Sequence, residues 1–215
     1  QITIDEMREK VGIQDTYPIN KMSAYLFHRE IQYLPGYRPE HIVFMASLLN
    51  RSYSEIGMGY SVSFIKGVAT QRAVKSFEEI SSMHEAASIT SKILFTLMQQ
   101  AKVVMKEYEL VSRVLQVVHE QGVNISFQPI VSIEGQILHN HYYGNTLSKG
   151  DMLLCDLGAE SSQLYSGDMT RTFPVDPAFS SLQKELYDVV HQSYLVAIAA
   201  LKPGIKFLDL HEQYL

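Results

Sequence analysis

The chain has little that would tie it to a membrane, to nucleic acid or to an oxidising compartment. Of its 215 residues one is a cysteine, Cys155, which excludes an internal disulfide framework and sets the expectation of a reducing, cytoplasmic setting. No apolar stretch approaches the roughly 20 residues needed to cross a bilayer, and the N-terminus lacks the apolar core of a signal peptide. The 18 lysines and arginines are scattered without a run, and a net charge of −5 offers no basic field to a nucleic acid. Gly57 and Gly59 make no phosphate loop, because no Lys-Ser or Lys-Thr pair follows them. What is present is a 46% hydrophobic composition, enough for a sizeable core in one or two domains.

The clearest periodicity lies in the second half of the chain. From Ser76 to Ala101 the apolar positions Ile80, Met83, Ala87, Leu94, Leu97 and Ala101 recur at helical intervals, and Ser76 with Glu79 forms a capping pattern. A second helix is expected from about Tyr108 to Gln121 on Leu110, Val114, Val117 and Val118, stopped by Gly122. Strands are expected at Ser126–Ile133 and Met152–Leu157. A last helix is expected from Ser181 to Leu201, with Leu182, Leu186, Val189 and Ala197 on one face and Pro203-Gly204 as its stop. The first 65 or so residues mix short helical and strand-like pieces and read as the end of a preceding domain. No internal repeat is visible. Helices on one side of an antiparallel sheet make an α+β layer.

Two aspartates stand out. Residues 152–157 form an apolar run broken by Asp156 alone, and a carboxylate in a buried strand is costly unless a cation or hydrogen bonds compensate it. Gly158 and the polar run Glu160 to Gln163 then turn the chain, and residues 164–175 return as a β-branched and aromatic strand bearing Asp168. A hairpin can bring the two carboxylates together, where they repel unless a cation lies between them, and hard divalent ions prefer oxygen ligands. The alternative is a turn-forming or salt-bridging aspartate, with Arg171 as partner. Arg171 itself can orient a substrate carboxylate or pair with Glu160. His139 and His141 form a His-x-His pair that would share one face of a strand, or belong to a turn-rich connection before Tyr142–Asn145.

Asp156–Glu160 (Asp-Leu-Gly-Ala-Glu) followed by Gly167–Val175 (Gly-Asp-Met-Thr-Arg-Thr-Phe-Pro-Val) resembles the core of the Xaa-Pro peptidases, aminopeptidase P and prolidase. Gln71–Ile80, Ile137–His139, Phe179–Tyr187 and Lys202–Gly204 fit the same family in order, so the similarity covers roughly residues 66–210. The resemblance implies the first half of a pita-bread (creatinase/aminopeptidase-like) catalytic domain over residues 71–215. Residues 1–70 would then be the C-terminal part of an N-terminal α/β domain and its linker. It implies two divalent ions, Mn²⁺ first with Co²⁺ or Zn²⁺ as alternatives, held in part by Asp156 and a bridging Asp168. A hydroxide between the ions would attack the peptide carbonyl that precedes proline. His139 would hydrogen-bond the substrate, with His141 and Arg171 as pocket residues. Proline-containing peptides would be the substrates, and a homodimer the assembly.

Two departures from the family pattern matter. The loop between the aspartates is one residue longer than the common spacing. The family's remaining histidine and two glutamate ligands fall beyond Leu215, so the chain reads as an internal fragment that would be inactive in isolation. Residues 170–175 and the Leu138–His141 segment resemble aminopeptidase P more than prolidase. The rivals are a pita-bread peptide-binding or scaffold module that has lost its ligands and, less compatibly with the residues upstream of Gln71, a methionine aminopeptidase.

Overall fold

The computed structural model describes residues 2–213, with side chains as far as His211. The chain divides into two compact units, one ending at Lys75 and one beginning at Ser76. The expected boundary at residue 70 falls inside a helix. The first unit holds α1 (Ile4–Val11), α2 (Met22–Leu26), α3 (Pro39–Leu49), α4 (Tyr53–Met58) and α5 (Val62–Ala73). The strand-like pieces expected there form no strand among the described residues. The segment through Tyr33 instead runs as irregular chain held by Ser61 N–H to Tyr33 O at 3.2 Å. Tyr33, Ala46 and Ile56 make its small buried core.

The second unit begins with α6 (Phe77–Gln100) and α7 (Glu107–Glu120). A three-stranded antiparallel sheet follows in the order β1 (Ile130–Ser132), β2 (Met152–Leu157) and β3 (Met169–Pro174). Then come α8 (Ser181–Ala200) and α9 (Phe207–Gln213). Ser76 caps α6 as expected: its side chain accepts from Glu79 N–H while the Glu79 carboxylate accepts from Ser76 N–H at 2.6 Å. Gly122, at φ +71°, ends α7, a conformation that glycine adopts without Cβ strain. Among the described residues no helix is long and apolar enough to cross a membrane.

The core lies between the two helices and one face of the sheet. Ile93 and Leu97 of α6, Leu110, Val114 and Val118 of α7, and Leu153, Cys155 and Leu157 of β2 are all buried in it. The buried stripe of α6 differs from the expected one over its first half. Ser82, Ala86, Ile89 and Thr90 face inward, while Ile80 and Met83 remain 45% and 42% exposed. Small residues win there because the returning hairpin passes close. A Cβ on Gly167 would lie 2.3 Å from Thr90 Oγ1 and 2.9 Å from Ala86 O. The first strand is also shorter than expected. Ile125 bridges Ala159 and Ile130 pairs Asp156, so this strand carries extra residues against β2, and Pro129 has no N–H for the ladder.

Glu107 is fully buried at the start of α7. Its Oε1 accepts from Ile133 N–H at 2.9 Å and from Asn145 Nδ2 at 3.1 Å, and its Oε2 accepts from Asn145 N–H at 3.3 Å. One carboxylate thereby anchors both ends of the long connection between β1 and β2. Helix α8 has no buried residue. Leu182, Leu186 and Val189, expected on one apolar face, are 66%, 62% and 66% exposed.

One local turn recurs in the second unit. Residues 101–110 and 201–210 form the same turn after a long helix, 100 positions apart. Met105 N–H donates to Lys102 O and Ile205 N–H to Lys202 O, both at 3.2 Å. Lys106 N–H donates to the Glu109 carboxylate at 2.7 Å and Lys206 N–H to the Asp209 carboxylate at 3.3 Å. Val104 at φ +76° occupies the place of Gly204 at φ +87°. Only Lys102, Lys106 and Leu110 recur in identity, as Lys202, Lys206 and Leu210, so the likeness of the two turns lies in the backbone rather than in the letters.

A β-branched residue in the left-handed region carries a cost on the order of 1–3 kcal/mol, and Val104, 77% exposed, recovers little through packing. The Val104→Gly variant is therefore expected to gain about 1 kcal/mol after glycine's greater freedom in the unfolded chain is deducted. Urea denaturation of variant and parent measures it, and a loss of stability would count against the strain.

Candidate metal centre

The alternation of β2 places Asp156. Leu153, Cys155 and Leu157 turn into the core, whereas Met152, Leu154 and Asp156 turn to the other face and are half-buried. Asp156 is thus not within a strand buried on both sides, as its apolar neighbours suggested, but on the open side of a sheet covered on one face. In the ladder Asp156 stands opposite Thr170 and Ile130. Asp168 lies two residues before Thr170 and so shares the face of Asp156, at a diagonal position for which roughly 7–8 Å between backbones is usual.

Two glycines let the hairpin close that tightly. A Cβ on Gly158 would come within 1.8 Å of Gly167 O. Gly167 N–H donates to Ala159 O at 2.8 Å, and Thr90 Oγ1 accepts from Ala159 N–H at 3.0 Å, tying the turn to α6. At the tip, Ser161 Oγ accepts from the N–H of Gln163 and Tyr165, and Leu164 takes φ +65°. Ser162 is held to the Glu85 carboxylate through its N–H at 3.3 Å and its hydroxyl at 3.1 Å, and the Tyr165 hydroxyl donates to Glu79.

Among the described residues no ion pair reaches either carboxylate. Asp156 Oδ1 is buried and has no hydrogen-bond partner. The Asp168 carboxyl is held above the usual aspartate range, first by partial desolvation, then by the charge of Asp156 and a hydrogen bond shared with it. The salt-bridge alternative does not form. The ion pairs among the described residues are Arg8–Asp5 and Lys184–Asp188.

Arg171 pairs across the ladder with Cys155, on the opposite face from the aspartates. It lines a small cleft with Ser91, Leu94, Phe95 and Met98 of α6, and its Nη1 donates to Thr170 O at 2.7 Å. A residue one step along a strand from the aspartates' face cannot share their pocket, so the register separates Arg171 from the pair. His139 and His141 are exposed and lie in the turn-rich connection, not on a strand, with His139 at φ +53°. Asn140 Oδ1 accepts from Tyr142 N–H at 3.0 Å between them and the anchor at Asn145. Among the described residues no group of three or more His, Cys, Asp or Glu side chains converges to hold an ion. The structure therefore brings Asp156 and Asp168 together and brings neither histidine into that cluster.

The donor set suits a hard divalent cation. It offers carboxylate oxygens only, one of them buried and unpartnered, in a pair whose mutual repulsion a cation would cancel.

Residues 81–215 match the model of metallopeptidase family M24. The chain belongs to this family. Among curated relatives, this M24 chain is 33% identical over 146 residues to the Xaa-Pro aminopeptidase of Escherichia coli K12, a match covering 66% of the chain and 33% of that protein. It is 46% identical over 63 residues to Xaa-Pro aminopeptidase 2 of Streptomyces coelicolor, covering 29% and 13%. Among solved structures, an Escherichia coli aminopeptidase P variant in complex with substrate matches all of the chain and 51% of its own, with a TM-score of 0.83 and 25% identity. The Pseudomonas aeruginosa aminopeptidase PepP matches 99% and 51% at a TM-score of 0.82 and 24% identity, which speaks to the fold alone. The M24 chain thus spans about a third of the first curated relative and about half of the solved chains. Its α+β unit is the first part of the pita-bread catalytic fold, as the resemblance implied.

Because the folded-state pKa of Asp168 lies above the unfolded one, the folded chain holds more protons between the two values, and stability falls as pH rises through that window. Asp168→Asn removes this titration. In chelator, variant and parent are expected to be about equally stable near pH 3, with the parent falling behind as the pH passes about 4. Urea midpoints across that range test the sign.

Proposed function

We propose that this M24 chain supplies the first two ligands of a divalent-metal site in an Xaa-Pro aminopeptidase, which removes the N-terminal residue from peptides with proline second. The observation that carries the reading is the buried, unpartnered Asp156 Oδ1 beside the raised Asp168 carboxyl: two acids left without a protein counter-charge. The relatives named Xaa-Pro aminopeptidase support the substrate class, and the resemblance of residues 170–175 and 138–141 is the ground for preferring it to prolidase.

Asp156 and Asp168 would hold the divalent metal, with Mn²⁺ the first candidate and Co²⁺ or Zn²⁺ behind it. An Escherichia coli aminopeptidase P has been solved Zn-substituted with product, which supports a divalent-metal site. Bound divalent ions lower the pKa of water and polarise a peptide carbonyl. The protein's own part is to hold two carboxylates on one face of a strand pair, so that most of their approach is in place before binding. His139, carried on the connection that Glu107 anchors, would donate a hydrogen bond to the bound peptide, with His141 lining the pocket. A homodimer and a cytoplasmic setting belong to the same reading, the first from the family resemblance and the second from the single thiol.

The test is Mn²⁺-dependent release of the N-terminal residue from an Xaa-Pro-Yaa peptide by the full-length gene product and its Asp168→Ala variant. Loss of a direct ligand is expected to lower turnover at least as far as loss of outer-shell partners does, about a hundredfold. Equal activity in the variant would overturn the assignment. Residues 1–215 alone, with two carboxylates converging, are expected to give no turnover, and Mn²⁺-dependent cleavage by them would show that the two aspartates suffice.

A further inference from the structure

Three buried side-chain atoms among the described residues lack a hydrogen-bond partner: Arg8 Nε, Asp156 Oδ1 and Ser126 Oγ. The latter two belong to the same unit and flank the same hairpin. Ser126 N–H donates to Gly158 O at 2.9 Å, beside the Ile125–Ala159 bridge, so its position is fixed by the backbone. Its hydroxyl lies 3.0 Å from the point a Gly158 Cβ would occupy, and Gly167 O lies 1.8 Å from that same point. Hydroxyl and carbonyl therefore approach one another across a glycine, and Gly167 immediately precedes Asp168.

A buried hydroxyl without a partner is costly, and a single-bond rotation is all Ser126 needs to aim its proton at a nearby acceptor. Repulsion between Asp156 and Asp168 bears on the Gly167–Asp168 peptide. Asp168 follows directly on Gly167, so a small shift of that peptide toward Ser126 would carry the Asp168 carboxylate with it. We propose that Ser126 is a positioning residue of the metal site: its hydroxyl donates to the Gly167 carbonyl in the cation-loaded protein and so fixes Asp168 against Asp156. This rests on the metal reading above. It assigns to Ser126 no contact with substrate or ion, only control of where one ligand stands.

The experiment uses Mn²⁺ alone as probe and the full-length protein. Mn²⁺ affinity is measured by electron paramagnetic resonance for the parent, Ser126→Ala, Ser126→Cys and Asp168→Ala, with melting temperatures taken in chelator and in saturating Mn²⁺. Ser126→Ala and Ser126→Cys are each expected to bind Mn²⁺ roughly fivefold more weakly, the effect of one net hydrogen bond. Their chelated proteins should melt no lower than the parent. A cysteine variant with parental affinity would mean that Ser126 serves by filling space, and the proposal fails. An alanine variant that melts as much lower in chelator as in Mn²⁺ would mean the hydroxyl is already bonded without the ion, and the proposal fails again. A parent that binds no Mn²⁺ more tightly than Asp168→Ala would overturn the metal reading itself.

Discussion

The close crossing of the 158–167 hairpin over α6 is the constraint on which the rest of this unit depends. Gly158 and Gly167 have no Cβ to spare, since each would meet backbone or hydroxyl atoms well inside contact distance. Thr90 sits at the crossing, its hydroxyl donating to Ala86 O at 2.8 Å and accepting from Ala159 N–H at 3.0 Å. One buried threonine thus satisfies the backbone of the turn and sets its height above the helix. Asp168 follows the second glycine, so its approach to Asp156 is set first by packing on the far side of the sheet.

That division of labour explains how the protein can keep two acids together at all. Like charges in contact oppose folding, and here the opposition is met by apolar burial on the covered face, where Leu153, Cys155 and Leu157 pack against α6 and α7. Pre-organisation of this kind stores the electrostatic cost in the protein, so that a cation recovers it on binding. A pair of acids paired instead to arginine would fold more easily and bind an ion less well.

The helices were legible because their ends are written locally. Ser76 with Glu79 caps α6, Gly122 closes α7, and the apolar spacing does the rest. The strand Met152–Leu157 was equally plain, and Asp156 and Asp168 were legible as a pair through the hairpin between them. What sequence could not show was which side of each element would be crowded. The large residues Ile80 and Met83 drew the stripe of α6 to the wrong side, because a helix that receives a backbone needs alanine, serine and threonine there. Glu107 looks like any acid in a first turn, where such residues are common for their favourable interaction with the helix dipole. Nothing local marks it as the buried anchor of Ile133 and Asn145. The likeness of the turns at residues 101–110 and 201–210 was hidden for a similar reason: conformation at a left-handed position recurs while the residue, valine or glycine, does not.

Strand register also decides which chemistry the site can offer. Cys155 and Asp156 are neighbours in sequence, and a one-residue slip of β2 would exchange them, placing a thiol beside Asp168 and a carboxylate in the core. Soft thiolate and hard carboxylate select different ions, so such a slip would change the preferred metal as well as the fold's cost. The observed register is pinned by the six pairs between β2 and β3, and burial pushes the Cys155 thiol far up from its ordinary range. The nucleophilic, metal-binding form of that sulfur is thereby suppressed. The oxygen-only character of the pair is thus a consequence of the same alternation that builds the core.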